Sequence, residues 1–574
     1  MARPYSVPRE RVWDLAIEQL VAPHRGVRTN HSTVFSHMKY VIKFLGDKLL
    51  YGQIPDPFPR CGIGSGQALK RSQKTILSII DSLKMRAFLL FLCFFVAAHC
   101  QNCSRLDADV LILGGGMAGV SAANRLNELG VADFILLEAQ DRLGGRMRTE
   151  EIVPGVNLSV GANWIHGVDR TQPRLHPMFD LAERCGGLQG VYTNTDNIIT
   201  YDSDGNEVMD SSLRYTAYES AFAAALERNG GDVNNDFSAR DGLTQAGWTP
   251  SSVRDNFVDW YNFDFSFAET PDVTSVAGIY RLPDRDFIGR NGQPGEYFIT
   301  DRRGYPYLVQ CLANNFTRNS ADDRIHLSAT VTRIQYGDEC VCVTATENGE
   351  ETQYCASYAI VTFSVEVLRQ QGPTLFSPQL SETKRNALNF IRMGFYYIII
   401  TEYERKFWDD IQFIGHIDSP RGYFPVIIPV HESFGVNATA VHVTGELAFR
   451  LAGMSDNDVV AEIDQVLRNI YGSNVPAARN IIRMSWGTNP LFLGSYSNVR
   501  PDGADMVRRL RVPEGRVYFA GEATSERYRG NTHGAYLSGI DTVNALVNAV
   551  SAAAKFVGNT ALIMIVMIAA LITV

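Results

Sequence analysis

The chain has 574 residues, 45% of them hydrophobic and 20% charged, with a formal net charge of -9; this usage excludes a fibrous or broadly disordered protein and suffices for two domains with their own cores. The charge is uneven, with 13 Lys and Arg against 6 Asp and Glu in residues 1–84 and 40 against 56 in residues 85–574. An acidic folded part argues against nucleic acid as a partner and for a cationic ligand.

In chain order, residues 1–84 read as an upstream extension, either foreign to the working protein or a cytosolic leader. From Met85, "MRAFLLFLCFFVAAHCQNCS" has Arg86, an apolar run from Ala87 to Ala98 and small residues beyond it, the pattern of a secretory signal peptide over 85–100. The run is too short to span a bilayer.

"DADVLILGGG" then predicts a strand, "MAGVSAANRLNELG" a helix with Val120, Ala123, Leu126 and Leu129 on one side, and "ADFILLE" a second strand. Gly114, Gly116 and Gly119 give GxGxxG at the strand-to-helix turn, where bare backbone lets a pyrophosphate approach the helix N-terminus. Glu138 ends the second strand and is placed to accept hydrogen bonds from ribose hydroxyls. Further on, "YYIIITEYE" and "ATAVHVTGE" have the β-branched clustering of buried strands. The tail "SAAAKFVGNTALIMIVMIAALITV", residues 551–574, has small residues, a polar spacer and an uncharged apolar end, the pattern of a GPI-attachment signal, with a retained hydrophobic anchor as the rival.

Past residue 100, Cys103, Cys185, Cys311, Cys340, Cys342 and Cys355 form an even set without the paired spacing of a zinc site, so no metal is expected. Either Cys340 or Cys342 is expected to pair with Cys355 across a hairpin turning at "ENGE". Sequons stand at Asn102, Asn157, Asn315 and Asn437, with Asn157 expected to be partly buried.

Beyond the glycine turn, "EAQDRLGGRMRT" carries RxGGR from Arg142 to Arg146, followed by "GANWIHG", "DRRGYPYLV", "WGTNPLFLGSYSN" and "RVYFAGEATSERYRGNTHGAYLSGID". With these motifs the sequence resembles the flavin-dependent amine oxidase family, in its polyamine oxidase branch, over roughly residues 108–548. The resemblance implies an α/β protein: a Rossmann-type FAD-binding domain with the GG motif, assembled from residues 107–186, 289–372 and 488–550, beside an α+β substrate-binding domain of residues 187–288 and 373–487. It further implies that Arg146, Val331, Trp486 and Glu522 lie against FAD, and that a helix beginning near Thr532 aims its positive end at the flavin pyrimidine. The monoamine oxidase branch ties its flavin through a cysteine, and none follows Cys355, so FAD is expected to be non-covalent.

Amine oxidation by flavin needs a neutral amine beside the ring and a distant hold on the remaining charge. By resemblance, Lys384 matches the family lysine that positions a water near the reacting flavin nitrogen, and His166 is the residue that hydrogen-bonds or deprotonates the amine. Glu269 matches a tunnel acid, and Tyr496 matches one aromatic wall. Asn531 and Thr532 stand where the opposite tyrosine is usual, which leaves Tyr528 as a substitute wall. The expected enzyme is a secreted or surface-anchored FAD-dependent polyamine oxidase that acts on spermine, spermidine or acetylated forms and on dioxygen, giving aldehyde, amine and hydrogen peroxide. Its membrane contact would be a C-terminal lipid anchor alone. The rivals are a secreted L-amino-acid oxidase or other amine oxidase, which for amino acids needs a cation to clamp a carboxylate, and a surface protein that keeps FAD and has lost turnover.

Overall fold

A computed structural model describes residues 106–572 except 169–171, 283–286, 290–292, 294 and 318–321, with side chains as far as 553. The extension 1–84, the signal segment 85–100, Asn102, Cys103 and most side chains of the tail 551–574 lie outside the described residues. Strand β1 (Ala108–Leu113) leads through the glycine turn into helix α1 (Met117–Glu128) and strand β2 (Phe134–Leu137). Val110 and Ile112 of β1 pack into one core, and Leu111 and Leu113 into another, so the strand is apolar on both faces, as a central parallel strand must be.

β1 pairs in parallel with β2 and with the second half of Glu350–Val361. The sheet runs Phe376–Ser377, Ala329–Tyr336, Val341–Glu347, Glu350–Val361, β1, β2, Ile325–His326, and Val517–Phe519 joins Glu350–Val361 in parallel as its eighth strand. Val341–Glu347 and Glu350–Val361 meet in a hairpin at Asn348 and Gly349, whose φ values of 51° and 85° suit an Asn-Gly turn. Directly opposed across it, Cys342 and Cys355 form a disulfide, which decides between the two partners left open for Cys355. A second disulfide, Cys185–Cys311, ties the end of helix Pro177–Arg184 to helix Tyr307–Asn314. Asn157 is half-buried on the short strand Val156–Ser159.

A second sheet of six strands runs Ala478–Arg483, Tyr396–Tyr403, Ala438–Thr444, Val426–Pro429, Phe413–Ile417, Ile198–Asp202, antiparallel except for its last pair. The two apolar stretches singled out in the sequence are its adjacent strands, in register from Tyr396 opposite Thr444 to Glu402 opposite Ala438. Their side chains alternate: Ile398 and Ile400 pack with Trp248, Phe257 and Trp260, whereas Tyr397 and Ile399 pack with Ile463 and Leu467 of helix Asp456–Tyr471. The described residues therefore form a mixed α/β protein whose two largest sheets are each faced by helices.

The last helix, Thr532–Ile572, lies across α1. Ser121 Oγ donates to the Tyr536 carbonyl at 2.9 Å, and Arg125 Nε donates to Asn544 Oδ1 at 2.9 Å. A Cβ on Gly539 would lie 2.1 Å from Ser121 Oγ and 2.3 Å from the Ala118 carbonyl, so the two helices cross at the separation that a bare backbone allows. Among the described residues no helix is long and apolar enough to cross a membrane.

Gly539→Val is expected to destabilise the protein by about 1–3 kcal/mol or more through overpacking of this crossing, read as a lower urea midpoint. Gly337→Ala, where a Cβ meets nothing within 4 Å, should leave that midpoint in place.

Candidate active site

The turn between β1 and α1 is built for close approach. Gly114 has φ +105°, and a Cβ on Gly119 would sit 1.9 Å from the Gly114 carbonyl oxygen. The helix is capped by Gly116 with no side-chain hydrogen bond to its first turn, and that turn holds no acidic residue, so its N–H groups are left for an anion. Glu138 is buried and accepts from Gly115 N at 2.5 Å and from Gln140 N at 2.8 Å. The second glycine pair folds against this turn: Gly144 N donates to the Gly115 carbonyl at 2.9 Å, and Arg142 donates to the carbonyls of Leu143, Gly145 and Met147.

Arg146, directly after the pair, joins distant parts of the chain. Its Nη1 donates to the Ser495 carbonyl at 2.7 Å and to Glu522 Oε1 at 3.1 Å. The other oxygen of Glu522 accepts from Ser497 Oγ at 2.6 Å and from Gly530 N at 2.9 Å. Thr532 starts the last helix, with its hydroxyl 2.7 Å from that of Tyr305. Trp486 is buried, and its Nε1 donates to the Val160 carbonyl at 2.9 Å.

A cavity of about 720 Å³ runs from this cradle to an aromatic end. Its lining includes Gly114, Gly116, Glu138, Arg146, Val331, Trp486, Glu522 and Thr532 among the expected cofactor contacts, and His166, Tyr496 and Tyr528 among the expected substrate contacts. Gly119 stays behind the lining, where its lack of a side chain serves the turn. At the aromatic end stand Trp164, Phe265, Tyr396 and Tyr496, the two tyrosine rings 6.0 Å apart. Tyr528 packs instead against Phe287 at 5.2 Å and His533 at 4.9 Å.

Besides Gly119, two expected residues are not in the lining. Lys384 is 1% exposed and turned away: its Nζ donates to the Leu510 carbonyl at 2.7 Å and to that of Val512, beyond the end of helix Met506–Arg511, and lies 3.7 Å from the centre of the Phe519 ring. Burial pushes its pKa down to about 7, against the pull of Glu514. The reason lies in its own helix, Glu382–Phe390, where Lys384, Ala387 and Leu388 share the buried face. Among the described residues no lysine lines the cavity, so the water-positioning role assigned to Lys384 is not available to it. Glu269 follows Ala268, whose φ of 57° turns the chain, and it too lies outside the lining. Burial raises its pKa to about 7, with Arg500 opposing and Asp264 adding to the rise.

Besides Glu138 and Glu522 of the cradle, the cavity lining holds a third acid, Glu296. Strands Trp164–Ile165 and Glu296–Ile299 pair antiparallel with Ile165 opposite Tyr297, which carries His166 next to Glu296, Nδ1 to Oε2 2.6 Å. Burial acts to lower the pKa of His166, but the Glu296 carboxylate outweighs it and holds the imidazole above its ordinary value. His176 and His533, rings 4.5 Å apart behind it, are kept neutral by burial, with His176 at about 3. Sequence reasoning missed Glu296 and Tyr396, which reach the cavity on strands paired over long range, and Phe265, which reaches it from the short helix Phe265–Phe267.

A glycine-lined helix start, a buried acid at the end of β2 and a cavity leading from both to an aromatic chamber define a dinucleotide-binding oxidoreductase. Residues 117–547 match the family of flavin-containing amine oxidoreductases, and the chain belongs to it. It is 33% identical over 485 residues to polyamine oxidase 1 of Zea mays, which covers 80% of this chain and 94% of that protein. It is 34% identical to polyamine oxidase 6 of Oryza sativa subsp. japonica, over 76% of this chain and 90% of that one, and 28% identical to polyamine oxidase 2 of Arabidopsis thaliana, over 75% and 86%.

The cofactor is FAD, and the residues fit it. The open N-terminus of α1 suits the pyrophosphate, Glu138 the adenosine ribose, and Glu522 with Arg146 the chain leading to the flavin.

Glu138→Ala is expected to weaken FAD retention at least tenfold, on the order of 1.4 kcal/mol or more, measured by flavin fluorescence in the filtrate on dilution. Lys384→Met should cost about 1–3 kcal/mol of stability for the carbonyls it leaves unpaired while changing the rate of flavin bleaching by amine by less than about twofold.

Proposed function

We propose that this protein is an FAD-dependent polyamine oxidase that oxidises a carbon–nitrogen bond of spermine, spermidine or an acetylated form and passes the electrons to dioxygen. The observation that carries this reading is the single cavity that joins the nucleotide cradle to an aromatic chamber holding Glu296 and His166. Held by the start of α1, Glu138, Arg146 and Glu522, FAD would supply the hydride acceptor for the carbon beside the amine nitrogen. The chain's own residues do the rest. Trp164, Phe265, Tyr396 and Tyr496 surround an alkyl chain and offer ring faces to an ammonium group. His166 takes the proton from the reacting ammonium, and Glu296 stabilises the imidazolium so formed, with no lysine required. Among the described residues no cysteine lines the cavity, in keeping with a non-covalent flavin.

The two described disulfides and the apolar segment 85–100 support a secreted protein, released or held at the cell surface through a lipid anchor in place of the tail 551–574. The strands of the two larger sheets support the division into an FAD-binding domain of residues 107–186, 289–372 and 488–550 and a substrate-binding domain of residues 187–288 and 373–487, except that Phe376–Ser377 joins the FAD-side sheet.

One observation favours a second reading. Arg529 lines the cavity and is 5% exposed, its Nε has no partner among the described residues, and burial lowers its pKa to about 10 against the pull of Glu522. A buried guanidinium with a free donor is what an L-amino-acid oxidase needs to hold a carboxylate.

Anaerobic bleaching of the FAD-loaded protein by spermine, N-acetylspermine, spermidine and L-amino acids in parallel tests both readings. Bleaching by polyamines and not by amino acids is expected, and the reverse would move the protein to the second reading. In the pH profile of bleaching, the rate should fall as acid protonates His166, with the midpoint above the ordinary imidazole value because Glu296 holds the proton. Glu296→Gln removes that hold, so the acid limb should move to lower pH.

A further inference from the structure

His442 lies behind the aromatic end of the cavity, on the strand Ala438–Thr444 and directly opposite Ile398, which lines the cavity. It is 1% exposed. Its ring lies 5.9 Å from that of Trp164, 5.9 Å from that of Phe265 and 5.6 Å from that of Tyr396, so three of the four aromatic walls back onto one imidazole. Its Nδ1 is 2.7 Å from the Tyr396 hydroxyl. Tyr396 is itself fixed from the other side, since its backbone N donates to Ser495 Oγ at 2.9 Å and that hydroxyl donates to its carbonyl at 2.7 Å.

We propose that His442 is a positioning residue for amine oxidation: by accepting the phenol proton of Tyr396 at Nδ1, it leaves the phenol oxygen as a hydrogen-bond acceptor for the N–H of the substrate amine. A phenol alone both donates and accepts, and a donor aimed at the amine lone pair would oppose the loss of hydride from the adjacent carbon. A fixed acceptor in the wall removes that orientation, because the only proton of the phenol is already committed. The arrangement also uses Tyr396 where no lysine lines the cavity among the described residues. Burial keeps His442 from taking a second proton down to about pH 3, so it is not the base; that role stays with His166, whose ring stacks near Trp164 and lies beside Glu296. The inference rests on the amine-oxidase reading above.

The experiment is stopped-flow anaerobic reduction of the FAD-loaded protein by spermine, which gives the saturated reduction rate and the half-saturating amine concentration. It compares wild type, Tyr396→Phe, His442→Leu, His442→Gln and the double variant Tyr396→Phe/His442→Leu. The visible flavin spectrum and melting temperature of each variant identify those that have lost the fold. If His442 acts through the phenol, each single variant should slow saturated reduction about tenfold or more with a smaller change in half-saturation. The double variant should then be no slower than the worse single one, because both substitutions remove the same interaction. His442→Gln, which restores an acceptor, should recover most of the rate. Additive losses, a loss confined to half-saturation, or His442→Gln as slow as His442→Leu would each overturn the inference and leave the amine-oxidase reading intact. A wild type that binds FAD but is bleached by no amine would overturn both.

Discussion

The Arg146 to Glu522 ion pair is the contact on which the arrangement of the site depends. Its two ends are 376 residues apart, and the guanidinium also holds the Ser495 carbonyl while the carboxylate also holds Ser497 and Gly530. Four chain segments are thereby locked around one partly buried pair: the second glycine turn, the strand Tyr496–Val499, the segment after Val517–Phe519 and the start of the last helix. Glu522 is only 7% exposed at its side chain, so removal of Arg146 would leave a carboxylate without its cation in a poorly solvated place, which costs far more than the intact pair contributes. The lock continues into the other sheet, because Ser495 holds both backbone groups of Tyr396 through its hydroxyl. Cofactor cradle and substrate wall are thus set by one continuous chain of hydrogen bonds.

That continuity explains which parts of the site were legible in the sequence. The glycines of the first turn, Glu138 and the strands beside them are a local unit: the register of β1 with β2 follows from two apolar runs and the helix that joins them, all within thirty residues or so. Arg146, Trp486, Glu522 and Thr532 were found because each stands in a motif that resembles a known family. Glu296 stands in none. It meets His166 because strand Glu296–Ile299 pairs with strand Trp164–Ile165, and long-range antiparallel register is not written in either strand alone.

Lys384 shows the opposite failure, a residue in a matching motif whose side chain points elsewhere. Helix Glu382–Phe390 starts at Ser381, whose hydroxyl accepts from the Lys384 backbone N–H, and this cap fixes the rotation of the helix. Once that rotation is set, position 384 falls on the face shared with Ala387 and Leu388, toward helix Met506–Arg511 and the Phe519 ring. The helical period carried that information, and the flanking motif hid it. Glu269 failed for a different reason: the positive φ at Ala268 reverses the chain one residue before it, and backbone conformation of that kind in an alanine has no sequence signature.

Two imidazoles now flank Trp164, with ring centres 6.2 Å away for His166 and 5.9 Å for His442. His442 is buried without a carboxylate at hydrogen-bond distance and is driven to about 3, whereas the half-exposed His166 has Glu296 at 2.6 Å and is held above its ordinary value. The same side chain is thereby divided into two instruments, one able to receive a proton and one that stays neutral and acts only through hydrogen bonds. The division rests on a single residue, Glu296, and it places proton removal and amine orientation around one indole. Amine oxidation requires that the nitrogen lose its proton before the adjacent carbon loses hydride, and that the lone pair remain free once it is exposed. A base and a hydrogen-bond acceptor beside the same indole meet both conditions without a lysine in the described lining of the chamber.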